Sequence, residues 1–174
     1  MIIEPCCFRK QFDELLANIE NNGNVAHFFT NGDLSLPEFM DYFIGRSPGC
    51  DVFLSLIRVD ACTLATIYKL MGKKDRNGNF LIKSFTLLSQ GYDREAINNT
   101  LSKFRNSGRL LVCEDKESFR CLTVGNTNHH YILNGSINQS PVFSMQMFTI
   151  TTSEELYEDT MKIFGVKKRI KKVK

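Results

Sequence analysis

Apolar residues recur along the chain with two spacings, one typical of α-helices and one typical of β-strands. Helical spacing predicts five helices, at about residues 8–21, 36–45, 61–71, 94–107 and 154–164. Short apolar runs between them predict seven strands, at about residues 25–30, 51–59, 80–88, 109–113, 119–124, 129–134 and 142–150. Strands and helices therefore alternate along much of the chain.

Capping residues mark where three of these helices begin. Ser35 and Glu38 form the pattern of a capping box, and Asp60 and Asp93 each precede a helical pattern. Lys103 stands near the carboxyl end of its helix, where the helix dipole favours a cation. In the helix after Asp60, four residues are predicted to face inward: Leu64, Ile67, Tyr68 and Met71.

The alternation predicts an α/β fold, a mixed β-sheet of about seven strands with helices on both faces. The chain has 174 residues, of which 43% are hydrophobic, enough for one substantial core. We therefore expect a single domain over residues 1–165, followed by a basic C-terminal tail over residues 166–174.

The tail determines the charge of the protein. Six of the 22 Lys and Arg residues lie in the last eight positions, and the net charge of the whole chain is +3. A run of this kind is either a solvated terminus or an arm that binds phosphates by releasing counterions. The nucleic-acid hypothesis assigns DNA or RNA contact to Lys167, Lys168, Arg169, Lys171 and Lys172.

The six cysteines and three histidines do not have the spacing of a metal site. We expect reduced thiols, no metal and no cofactor. The adjacent His129 and His130 are predicted on one strand, pointing to opposite faces, so that at most one lines any cleft. No apolar run is long enough to span a membrane and no secretion signal is recognisable, so we expect a cytoplasmic protein.

The most informative stretch is the end of the strand at 129–134. Its apolar residues stop at Asn134 and Gly135, and a polar segment that contains Ser136 and Asn138 follows. Gly135 allows the backbone to approach a ligand closely, while the Ser136 hydroxyl and the Asn138 amide can hold phosphate oxygens. The alternative is a plain Asn-Gly turn between two strands.

Gly-Ser-x-Asn after an apolar strand resembles the second half of the motif of the phospholipase D-like (HKD) superfamily. Active members carry a His-x-Lys pair and an Asp upstream. Here the His position falls on Cys121, the Lys position on Thr123 and the Asp position on Asn128. Gln146 stands where relatives often have an acidic residue. The resemblance implies a catalytically degenerate, single-motif member with no confident catalytic residue.

By this resemblance the protein keeps a phosphate-binding cleft, used for nucleic acid, and pairs two copies of the motif as a homodimer. One alternative is a residual phosphodiesterase or nuclease with Cys121 or a histidine as nucleophile. Cys121 lacks a neighbouring cation on its strand face and is predicted to be a core residue. The other alternative is a dimeric interaction or scaffold protein.

Overall fold

The computed structural model describes residues 2–3, 7–22, 25–30, 34–114, 120–135 and 145–163. Within them, eight strands form one sheet: β1 Ile2–Ile3, β2 Val25–Thr30, β3 Cys50–Arg58, β4 Ile82–Gly91, β5 Leu110–Glu114, β6 Cys121–Gly125, β7 His130–Gly135 and β8 Gln146–Thr151. Five helices accompany them: α1 Phe8–Asn22, α2 Leu36–Arg46, α3 Ala61–Gly72, α4 Arg94–Asn106 and α5 Glu154–Ile163. The α/β class is confirmed, with eight strands instead of about seven.

The strand order across the sheet is β1-β2-β8-β7-β6-β3-β4-β5. β1 and β2 are parallel, as are β3, β4 and β5, whereas β6, β7 and β8 are antiparallel to their neighbours. The additional strand is β1, whose two residues are too few to produce a sequence pattern.

The helices are distributed unequally between the two faces of the sheet. β1 through β5 are mutually parallel and progress across the sheet in one direction, so crossovers of one hand place α1 to α4 on the same face. Val52, Leu54 and Leu56 of β3 pack into the main core with these helices. Phe53 points to the other face, where it packs with Met161 of α5.

The caps predicted from the sequence form as expected. The Ser35 backbone N–H and hydroxyl both donate to the Glu38 carboxylate, at 2.6 and 2.8 Å. Asp60 accepts the N–H of Thr63 at 2.8 Å, and Asp93 accepts the N–H of Glu95 at 2.9 Å. The bonds from the N–H groups of Ser35, Thr63 and Glu95 satisfy backbone donors that the helix starts leave unpaired.

Gly125 determines how closely α5 approaches the sheet. A Cβ atom at this position would lie 2.5 Å from Cε2 of Tyr157, so the ring rests directly on the backbone of β6. His130, the register partner of Gly125 on β7, contacts the same ring at a centroid distance of 4.7 Å. The predicted end of the last helix, and the basic tail after it, lie outside the described residues.

Candidate functional site

One edge of the sheet gathers most of the residues predicted from the sequence. We call it the carboxyl edge, because β2, β3, β4, β5 and β7 end there while β6 and β8 begin there. It contains Thr30, Cys121, Gly135 and Gln146. Crevices beyond the carboxyl ends of strands are the usual location of ligand sites in α/β sheets.

Gly135 occupies a position that a side chain would not fit. Its φ of 147° lies in a region favourable for glycine. A Cβ atom would lie 2.5 Å from the carbonyl oxygen of Met147 and 2.9 Å from Cδ1 of Phe148. The backbone therefore packs directly against β8 where the polar segment begins. Ser136 and Asn138, the other predicted phosphate ligands, lie outside the described residues.

Cys121 and Thr123 lie on β6, close to this turn but inside the protein. Cys121 is the register partner of Asn134, the residue before Gly135. The two side chains are 1% and 0% exposed, and their Sγ and Oγ1 atoms are 3.5 Å apart. Burial raises the pKa of the Cys121 thiol to about 11, although the contact with Thr123 acts in the opposite direction. Cys121 is a core residue, as the sequence predicts, and its environment opposes a nucleophilic role.

This environment predicts slow chemical modification of Cys121. A rise of the pKa to about 11 from an ordinary value of 9.0 lowers the thiolate fraction at neutral pH about a hundredfold. Cys62 is exposed on α3 and serves as the internal comparison. Iodoacetamide followed by peptide mass spectrometry is expected to label Cys62 quickly, and Cys121 only after unfolding. Equal labelling rates in the native protein would contradict this description.

Asn128 does not join Cys121 and Thr123. It lies in the turn between β6 and β7, at the opposite edge of the sheet, which we call the amino edge. The Asn126 side-chain oxygen accepts the backbone N–H groups of Asn128 and His129, at 2.8 and 2.9 Å. The three positions that replace the superfamily's His, Lys and Asp are therefore divided between two edges.

The expectation that at most one of His129 and His130 lines a cleft is wrong. Both residues line a cavity of about 720 Å³ at the amino edge, together with Asp51, Lys83 and Tyr157. β7 begins only at His130, so His129 belongs to the turn and does not alternate with its neighbour. Sequence spacing gave no sign that these residues from several strands and α5 share one cavity.

Thr30 and Gln146 form an unusual pair at the carboxyl edge. They are register partners on β2 and β8, and their side chains are 0% and 4% exposed. The Thr30 hydroxyl and both polar atoms of the Gln146 amide have no hydrogen-bond partner among the described residues. Gln146 precedes by two positions Phe148, the register partner of Gly135. The unpaired groups therefore lie beside the glycine turn.

Charged residues of both signs also occupy the carboxyl edge. Arg58 ends β3, and Arg120 immediately precedes β6, the strand paired with it; both are exposed. The carboxylates of Asp60 and Asp93 are bonded to the first turns of α3 and α4. These two carboxylates thus compensate helix N-termini, and Glu114 at the end of β5 pairs with Arg94.

Comparisons with known proteins leave the family open. No protein-family model and no curated protein matches the chain. Among solved structures it is similar to TrmBL2, an archaeal chromatin protein whose structure shows a novel mode of DNA binding. The TM-score is 0.47 at 12% sequence identity, and the match covers 90% of this chain and 58% of the TrmBL2 chain. Such a similarity supports no functional argument, and the phospholipase D-like assignment stays a prediction.

One membrane-related property is directly visible. Among the described residues, the helices are too short or too polar to cross a lipid bilayer.

Proposed function

We propose that this chain is a catalytically degenerate phospholipase D-like protein that binds the phosphate groups of nucleic acid at the carboxyl edge. The observation that supports this most is the pair of buried, unpaired polar side chains, Thr30 and Gln146, beside Gly135. Polar groups without partners in a core are costly, at about 1–3 kcal/mol each, and a ligand that bonds to both side chains would remove this cost.

The chemistry of these groups suits a phosphate ligand. The Gln146 amide nitrogen and the Thr30 hydroxyl are hydrogen-bond donors, and phosphate oxygens are strong acceptors. Gly135 places the backbone of the turn directly against β8 beside these two groups, because a side chain there would collide with β8. Ser136 and Asn138 add a hydroxyl and an amide in the following positions of the sequence.

The proposed loss of hydrolysis rests on what replaces the superfamily's reactive groups. Cys121 has a raised pKa, and Thr123 is a neutral side chain in the place of a lysine. His27 is exposed on β2, where its ring nitrogen contacts the Thr149 hydroxyl at 2.9 Å. It lies three strands from Cys121, about 14 Å at ordinary strand spacing, so the two side chains do not form a nucleophile pair. These features favour binding over a residual phosphodiesterase.

A polyanion fits better than a small phosphate compound. Arg58 and Arg120 bring positive charge to the carboxyl edge, and the tail adds six cations within eight residues. Repeated cations that follow a phosphate backbone gain affinity through counterion release. The single Gly-Ser-x-Asn sequence further suggests a two-fold dimer that brings two such turns together, which light-scattering measurement of the molar mass would test.

Fluorescence anisotropy with labelled single- and double-stranded DNA and RNA tests the proposal directly. At low salt we expect binding that weakens as salt rises, because the phosphate contacts are electrostatic. If the protein binds none of these nucleic acids, the proposed function is wrong.

Gln146→Met is expected to stabilise the protein and to weaken nucleic-acid binding. Replacing the unpaired amide by an apolar side chain of similar size removes a desolvation penalty, and we expect a gain of about 1–2 kcal/mol in the free energy of unfolding. Chemical denaturation measures the gain, and anisotropy the loss of affinity.

Asn18→Leu is the matched control, because Asn18 is an exposed amide on α1, away from the carboxyl edge. We expect little change in stability or affinity from it. Lower stability with unchanged affinity in Gln146→Met would show that the amide serves the fold alone.

A further inference from the structure

A cluster of aromatic rings and cations lies near the carboxyl ends of α3 and α4, at the amino edge of the sheet. Tyr68 on α3 and Phe80 before β4 are 43% and 41% exposed, although Tyr68 was predicted to face inward. Tyr68 lies next to Lys69 at the outer side of the helix. We define the aromatic–basic surface by six residues: Tyr68, Lys74, Phe80, Lys103, Phe104 and Arg109.

Ring contacts connect these residues into one surface. The Tyr68 and Phe104 rings are 5.7 Å apart in an edge-on arrangement. The Lys103 ammonium lies 3.9 Å from the Tyr68 ring centroid and 4.7 Å from that of Phe104. The Arg109 guanidinium lies 3.7 Å from the Phe80 centroid and 5.7 Å from that of Phe104. Cations of this kind interact favourably with ring faces.

The fold holds one part of this surface rigidly. Arg109 donates to the carbonyl oxygens of Met71 and Ile82, at 3.2 and 2.5 Å, and so fixes the end of α3 to the start of β4. Phe80 packs against this fixed guanidinium and forms a backbone bridge with Lys74. The Phe80 ring is therefore positioned before any ligand arrives, which lowers the entropy lost on binding.

The two lysines are held less firmly than Arg109. The Lys74 ammonium lies 4.7 Å from the Phe80 centroid, and Lys103 rests on Tyr68. Both lysines are exposed, and neither makes a salt bridge to an acidic side chain among the described residues. An exposed lysine on a ring face can move toward an anion at small cost, because its flexible stem has many rotamers.

The surrounding charge is strongly positive. Between Lys69 and Arg109 the sequence has nine basic and three acidic residues. Asp93, Arg94 and Glu95 lie together at the start of α4, at the carboxyl edge, and Lys73 pairs with Asp41, so seven basic residues and Asp75 remain. Asp75 accepts backbone N–H groups of Asn79 and Asn77, and these bonds lower its pKa. Its charge is thus engaged in shaping the loop between α3 and β4.

We infer that the aromatic–basic surface is a binding site for single-stranded nucleic acid, with bases stacked on Tyr68 and Phe80 and phosphates contacted by Lys74 and Lys103. Exposed rings interleaved with cations bind unpaired bases, whereas the bases of a duplex are already stacked on each other. α3 and α4 end at the amino edge, so this surface is separate from the carboxyl edge and does not depend on the function proposed there.

The test measures affinity for labelled oligothymidylate and for a DNA duplex by fluorescence anisotropy. In the double variant Tyr68→Leu/Phe80→Leu, apolar bulk stays while both rings are lost. We expect its affinity for the single strand to fall at least about tenfold, with little change for the duplex. In Lys74→Gln/Lys103→Gln, the slope of log affinity against log salt should fall by about 0.7 for each lysine. Val25→Ala changes another exposed apolar residue, at the start of β2 and far across the sheet from β4 and β5, and should bind like the unaltered protein.

The outcomes separate this site from the carboxyl edge. If the double aromatic variant binds oligothymidylate as tightly as the unaltered protein, this inference is wrong. The function proposed for the carboxyl edge is tested separately, and it stands if Gln146→Met weakens binding. If the aromatic variant loses affinity equally for duplex and single strand, the inferred stacking of unpaired bases on Tyr68 and Phe80 is wrong. If the unaltered protein binds no nucleic acid, both proposals are wrong. Circular dichroism of each variant confirms that a lost affinity does not reflect unfolding.

Discussion

Gly135→Ala is expected to lower the free energy of unfolding by about 3 kcal/mol, from backbone strain and a steric collision together. The φ of 147° is unfavourable for alanine, and the new Cβ would lie 2.5 Å from the Met147 carbonyl oxygen. Because that oxygen belongs to the backbone of a neighbouring strand, relief requires movement of β7 relative to β8. Urea denaturation followed by circular dichroism measures the loss.

Gly78→Ala separates the two causes. Gly78 also has a positive φ, 84°, but a Cβ there would have no atom within 4 Å. It should therefore show only the backbone cost, about 1 kcal/mol. If Gly135→Ala is no more destabilising than Gly78→Ala, the close approach to β8 described above is incorrect.

Deletion of residues 167–174 is expected to reduce nucleic-acid affinity about a hundredfold at moderate salt, because six cations are removed together. If all six contact a single strand, the slope of log affinity against log salt should fall by about 4. Anisotropy titrations at several salt concentrations provide both values.

The same deletion distinguishes nucleic-acid binding from a scaffold role. A dimeric scaffold would keep its partner without the tail and would depend little on salt, because its contacts would lie in the folded domain. The matched control replaces the six basic residues by glutamine and keeps the length of the chain. If deletion and replacement leave affinity unchanged, the tail is a solvated terminus.

The elements of this fold were predictable because their signals are local. Helical spacing and the caps at Ser35, Asp60 and Asp93 placed the helices within a few residues of their observed ends. β1 was missed because its two residues depend on pairing with β2 and have no pattern of their own. Local chemistry therefore determines where elements begin, and only contacts within the sheet reveal so short a strand.

The candidate site was predicted less completely because it depends on pairing between distant segments. Thr30 and Gln146 are neighbours only because β2 pairs with β8, a relation that spacing along the chain does not indicate. Gln146 was noticed only as a neutral replacement for an acidic residue, and its unpaired amide depends on its surroundings in the core. The separation of Asn128 from Cys121 likewise follows from the strand lengths.

Two residues of the aromatic–basic surface have ordinary structural explanations in the sequence, which hide their place on a shared surface. Lys103 was explained by the helix dipole, and Tyr68 was assigned to the inward face of α3. The helical phase leaves Tyr68 at the boundary of that face, where Lys103 from α4 covers its ring. Sequence spacing does not distinguish a boundary position from a buried one, because the width of the buried face depends on the neighbouring helix.

The position of α5 has a mechanical consequence. Four helices share the large core, whereas α5 attaches to the other face through a small cluster in which Tyr157 and Met161 participate. The basic tail follows α5 directly in the sequence. A nucleic acid bound to the tail would therefore pull on α5 before it affects the rest of the domain. Amide hydrogens of α5 should therefore exchange with deuterium sooner than those of α2, and their exchange rates should respond to occupancy of the tail.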